Sequence, residues 1–150
     1  MTPTTPPKVG DRMSFRKTMT VAEQAMFTGI SGNLAPLHVD QRAARAAGFD
    51  GMLAFELAVL ALASTALNRL AAGWRIGGLQ LDFAQATLVG ETVEAMAEVT
   101  QVGSDRIACQ LACRLATGET VIAGTATLVP AMTAITAITA TTAMTALRGG

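Results

Sequence analysis

Residues 50 to 70 read DGMLAFELAVLALASTALNRL, an apolar stretch whose one charge between Asp50 and Arg69 is Glu56. Its uninterrupted composition predicts one long helix from about Met52 to Leu70. The apolar run from Met52 to Leu67 falls short of the ~20 residues a membrane span needs. After Gly73 the texture changes to period two with β-branched residues. Strands are predicted at Ile76 to Phe83, Thr92 to Val102, Arg106 to Leu115 and Thr120 to Val129, an antiparallel meander of four. Turn signals separate them at Val89-Gly90, Gly103-Ser104-Asp105 and Thr117-Gly118. Upstream, Gly10 to Met19 alternates loosely and reads as an edge strand. Thr20 and Glu23 form a capping box for a short helix with Val21, Met26 and Phe27 as its apolar positions. That helix is expected to end near Gly29, and Asp40 caps a second one, QRAARAA, stopped by Gly48. The pattern is α+β, one long helix covered by one sheet. Because that helix is apolar all round, a single sheet leaves its far face bare, to be covered by the chain's own short helices or by a second copy, and a homodimer is expected.

The chain has 150 residues, enough for one domain of ordinary size. Eleven basic residues balance eleven acidic ones, and only 15% of residues are charged, so the basic patch of a nucleic-acid binder is missing. No basic segment followed by an apolar one opens the chain, which places the protein, as an expectation, in the cytoplasm and off the membrane. Residues 1 to 9 read as an arm, 10 to 129 as the domain, and 130 to 150 as a low-complexity Thr/Ala tail. The tail's triplet repeat drifts about 60° per repeat on a helix and holds no stripe. Cys109 and Cys113 share one strand face about 13 Å apart, too far for a disulfide, and read as buried free thiols. With one histidine and no CxxC, a zinc-type metal site has almost no ligands, and no metal is expected.

The one histidine, His38, sits in FTGISGNLAPLHVD, residues 27 to 40. Three blocks stand in order along the chain: Ser31-Gly32-Asn33-Leu34-Ala35-Pro36-Leu37-His38, Asp50-Gly51-Met52-Leu53, and Phe83 through Gly90-Glu91. They resemble the signature of the MaoC-like, (R)-specific enoyl-CoA hydratases and dehydratases of the hot-dog fold, whose curved antiparallel sheet wraps one central helix. The resemblance covers about residues 10 to 129. It implies reversible hydration of a trans-2-enoyl thioester of coenzyme A or of carrier-protein phosphopantetheine, with no separate cofactor.

The resemblance puts His38 in the catalytic histidine's place, and imidazole is the side chain whose ordinary pKa suits proton transfer near neutrality. It puts Gly51 in the oxyanion position, where an amide at the positive end of the long helix would meet the thioester oxygen. The family's aspartate is Asn33 here, which can orient water but not take its proton. The family's Asn before Pro is Ala35, and the stretch from His38 to Gly51 is about five residues short. Ser31, Gly32 and Met52 are the expected substrate-contacting positions. Glu56 stands among Leu53, Phe55, Val59 and Leu60 and either points to solvent or a dimer surface without a role, or lies buried and needs a reason to be there, since an unpaired buried carboxylate is costly. The related β-hydroxyacyl carrier-protein dehydratases carry their carboxylate five residues after the oxyanion glycine, the spacing of Gly51 and Glu56. The alternatives are a hot-dog thioesterase with Glu56 as base or nucleophile, and a catalytically silent thioester-binding subunit.

Overall fold

The computed structural model describes residues 7–131. Most of the expected N-terminal arm and the Thr/Ala tail from residue 132 lie outside the described residues. The order is β1 (Arg12–Thr18), α1 (Val21–Ser31), α2 (Pro36–Val39), α3 (Gln41–Ala46), α4 (Glu56–Leu70), β2 (Trp74–Phe83), β3 (Thr92–Val102), β4 (Ile107–Leu115) and β5 (Thr120–Pro130).

Local signals explain the short helices. The Thr20 side chain accepts from Ala22 N–H at 3.2 Å and Glu23 returns a carboxylate to Thr20 N–H at 2.9 Å, closing the predicted capping box. α1 runs past Gly29 to Ser31, because the left-handed cap is Gly32, with φ 69°, rather than Gly29. Of the three apolar positions read on α1, Phe27 packs against the core, whereas Val21 and Met26 are exposed and the buried residue of α1 is Gln24. Asp40 caps α3 as predicted, accepting from Arg42 N–H at 2.8 Å. The single-turn α2, with Pro36 at its first position, is too short to show a helical period in the sequence.

The sheet is antiparallel in the order β1-β3-β4-β5-β2. β3, β4 and β5 form the expected meander, and β1 is the expected edge strand, paired with β3. β2 corrects the four-strand meander: it pairs with β5 at the opposite edge, not with β3. Alternating burial along β3 and β4 turns Val93, Ala95, Ala97, Val99, Ile107, Cys109, Leu111 and Cys113 inward. They meet Ala58, Val59, Leu62, Ala63, Ala66 and Leu67 of α4, which repeat at helical spacing along one face. One long helix against one antiparallel sheet is the α+β hot-dog arrangement. Both cysteines are buried and free, and burial pushes the Cys113 thiol up to about 11.

α4 starts four residues later than the composition predicts. Residues 52 to 54 are drawn instead into strand-like bonds: Leu53 N–H donates to Leu37 O at 2.9 Å, Ala54 N–H to Thr87 O at 2.8 Å, and Val89 N–H to Met52 O at 2.9 Å. Backbone groups that a first helical turn would have left unpaired are thus satisfied by α2 and by the β2–β3 connection. The helix is also not apolar all round. Its outer side carries Leu57, Ala61, Ser64 and Asn68. Among the described residues, no helix is long and apolar enough to cross a membrane.

Candidate active site

The strand-like segment before α4 passes directly under α2, and this crossing builds the site around His38. His38 is 9% exposed, and its imidazole stacks on the Phe55 ring with centroids 4.3 Å apart and planes 25° apart. Phe55 in turn lies against Phe27 at 4.9 Å. His38 Nδ1 is 3.0 Å from Leu53 O. A carbonyl oxygen only accepts, so the hydrogen of this contact sits on Nδ1, and in the neutral ring Nε2 carries the lone pair.

Nε2 faces Glu56, whose Oε2 is 4.0 Å away. That gap exceeds a direct hydrogen bond and is a separation that a single bridging water can span. Glu56 is the first residue of α4, where the helix dipole favours a carboxylate. Its side chain is 48% exposed, so of the two alternatives for Glu56 it is the buried one that the structure does not bear out. Leu53, Phe55 and Val59 do face inward while Leu57 is exposed, and Glu56, on the same helix stripe as Val59 and Ala63, is left partly open because it stands at the first position of α4. On its other side Glu56 borders a cleft of about 10 Å³ lined also by Ala54, Val59, Phe83, Gln85 and Thr87, about the size of one water.

A residue that the sequence reading missed ties these parts together. Gln24, 4% exposed, donates from Nε2 to His38 O at 3.0 Å and to Leu53 O at 2.8 Å, and its Oε1 accepts from Phe55 N–H at 3.2 Å. The available signal was a polar residue three positions before Phe27, hence on the same helix face.

The other expected site residues fall into two groups. Gly51 does not cap the long helix: α4 begins five residues after it, so the helix's positive end is at Glu56 rather than at the Gly51 amide. Gly51 is half-buried, its φ is not left-handed, and a Cβ there would meet nothing within 4 Å. Neither conformation nor packing within the described residues calls for a glycine, and no acceptor among them takes its N–H. Met52 is half-buried and uses its carbonyl on Val89. Ser31, Gly32 and Asn33 lie exposed and build their own loop. Ser31 Oγ donates to Phe27 O at 2.7 Å and accepts from Asn33 N–H at 3.2 Å, and Asn33 Oδ1 accepts from Ala35 N–H at 2.9 Å. No hydrogen bond joins Asn33 to His38 or Glu56 among the described residues.

The larger hollows lie elsewhere. One of about 370 Å³ runs between β1, α1 and α4, beside Phe15, Met26, Phe27 and Leu62, and contains no histidine. Chemistry rather than size locates the site, because His38 and Glu56 are the imidazole and carboxylate that face each other.

Residues 4–123 match the family described as the MaoC like domain. The chain belongs to the MaoC-like dehydratase family. Solved structures agree with the MaoC-like fold over most of the chain. An (R)-hydratase from A. caviae involved in PHA biosynthesis is 25% identical with a TM-score of 0.77, over 82% of this chain and 96% of that one. The R-hydratase PhaJ1 from Pseudomonas aeruginosa is 21% identical with a TM-score of 0.77, over 82% and 81%. A protein from Archaeoglobus fulgidus is 24% identical with a TM-score of 0.79, over 85% and 81%. A search of the curated proteins finds no match.

Proposed function

We propose that this MaoC-like chain is an acyl-thioester hydratase/dehydratase, adding water reversibly to a trans-2-enoyl thioester of coenzyme A or a carrier protein to give the (R)-3-hydroxyacyl thioester. The observation that carries it is the His38 ring, held by Nδ1 so that Nε2 opens toward Glu56 at 4.0 Å. In hydration, Nε2 takes a proton from the water while its oxygen bonds to C3. The C2–C3 π electrons move toward the thioester oxygen, which the free Gly51 N–H receives. The imidazolium then returns the proton to C2, restoring the carbonyl and the neutral ring. Glu56 orients the water from the far side of the gap, a task that falls to it because Asn33 points its oxygen into its own turn.

The working unit in this proposal is a cytoplasmic homodimer. The outer side of α4 meets β2 in a hollow of about 170 Å³ lined by Leu57, Leu60, Ser64, Leu67, Ile76 and Leu79. Leu57 is 59% and Leu79 43% exposed, an apolar surface suited to a second copy.

Steady-state assay on crotonyl-CoA tests the activity. Loss of enoyl absorbance without thiol release is the expected result. Release of free thiol would indicate a thioesterase, and neither signal would leave a thioester-binding subunit.

A further inference from the structure

The geometry points to Gln24 as the residue that positions His38 and selects its tautomer. Three segments distant in sequence meet at the site: α1, the single-turn α2 and the extended run 53 to 55. The Gln24 amide bonds to all of them except its own helix, through His38 O, Leu53 O and Phe55 N–H. Both of its amide hydrogens and its oxygen are used, with the side chain buried. A buried amide so fully engaged has one low-energy arrangement, since any rotation leaves polar groups unpaired in an apolar interior.

The shared acceptor links this arrangement to the chemistry. Leu53 O receives Gln24 Nε2 at 2.8 Å and His38 Nδ1 at 3.0 Å, so the two donors occupy its two lone pairs. With Gln24 holding that carbonyl toward α2, the imidazole keeps its hydrogen on Nδ1 and its lone pair on Nε2, toward Glu56. With the amide removed, the carbonyl is anchored only through the segment's own backbone, and the ring is free to exchange tautomers. Gln24 touches no reacting atom and acts through His38.

One histidine in the chain makes the test direct, because the imidazole ¹⁵N spectrum needs no assignment. The wild-type neutral ring is expected to show a protonated Nδ1 and a bare Nε2. Gln24→Met, similar in length but without hydrogen bonds, is expected to give a mixture of tautomers and roughly tenfold or greater loss of kcat, with KM changed less. Gln24→Glu keeps an acceptor for Phe55 N–H while losing donation, so it serves if the Met variant fails to fold, with the same expected spectral change. Thr20→Ala weakens the same helix without touching the clamp and is expected to leave tautomer and kcat unchanged. The loss of kcat rests on the hydratase function proposed above, whereas the spectrum does not. A wild-type ring protonated on Nε2, or variants that lose only melting temperature and keep the Nδ1 tautomer, would overturn the role of Gln24. An unchanged spectrum is fatal to it even in an active enzyme, and an inactive wild type with the expected spectral changes overturns the hydratase alone.

Discussion

His38 is held between a ring and a carbonyl, so replacing it removes packing as well as chemistry. His38→Gln keeps much of the volume and is expected to lower hydration turnover by roughly 10²- to 10⁴-fold, the range for a general acid/base, as read from crotonyl-CoA consumption. Glu56→Gln retains shape and hydrogen bonding but loses the charge beside Nε2. It is expected to reduce turnover by roughly tenfold or more, whereas Asn33→Asp gives little gain because its side-chain oxygen is committed to Ala35 N–H. The reverse pattern would place the carboxylate function at position 33. Gly51 separates fold from chemistry more sharply. Its φ and its empty surroundings tolerate a methyl group, so Gly51→Ala is expected to melt with the wild type while losing turnover, since the added carbon stands where a thioester approaches the amide. Equal turnover would remove Gly51 from the oxyanion role. His38 was legible because the chain has no other histidine and an ordered signature surrounds it. Gln24 was not, because its partners lie 14 to 31 residues away.

At the scale of elements, α1 carries an electrostatic dependence on pH. Lys17, 2.8 Å from Glu23, together with the Thr20 hydroxyl and amide, lowers the Glu23 carboxyl from 4.5 to about 2. A carboxyl depressed in the folded state contributes stability that is fully present above its unfolded pKa and is lost as pH falls through the folded one. Melting temperature is therefore expected to fall between about pH 4.5 and 2, and Glu23→Gln is expected to flatten that part of the profile. Identical slopes for the two proteins would show that the capping carboxylate contributes nothing. The same capping box was visible in the sequence because its members are three residues apart. The first turn expected for α4 was not an available error to detect locally, since Met52 to Phe55 have the composition of a helix. Leu37, Thr87 and Leu88 hold them extended.

The whole molecule has two different sheet edges. β1 carries Arg12, Arg16 and Lys17, with Arg12 paired to Glu98 at 3.0 Å and Arg16 to Glu94 at 3.1 Å, and charged edges resist further pairing. β2 offers the other edge. Directly opposed residues share a sheet face, so Ile76, Leu79 and Phe83, opposite the buried Leu128, Ala126 and Ile122, all lie on the α4 side. The irregularity between Ile76 and Gly78 makes this possible by resetting the alternation. A second copy related by a two-fold axis through Leu79 then sets Ile76 against Leu81, Arg75 against Asp82 and Trp74 against Phe83, with matching faces throughout. Sedimentation at micromolar concentration is expected to show a dimer. Arg75→Asp or Asp82→Arg alone is expected to weaken association by about tenfold, and the two together to restore it. A wild-type monomer would refute the pairing, while a dimer indifferent to both substitutions would refute only this register.

The capping residues Thr20, Glu23 and Asp40, the alternation of β3, β4 and β5, and the inward thiols follow from residues within a few positions of one another, where steric preference and period act without the rest of the chain. The place of β2 beyond β5, the extended run 52 to 55, the exposure of Glu56 and the Gln24 clamp depend on which distant groups satisfy which backbone atoms. Those pairings are settled only when the sheet, α2 and α4 close on one another, because a buried N–H or C=O must find a partner wherever in the chain it lies.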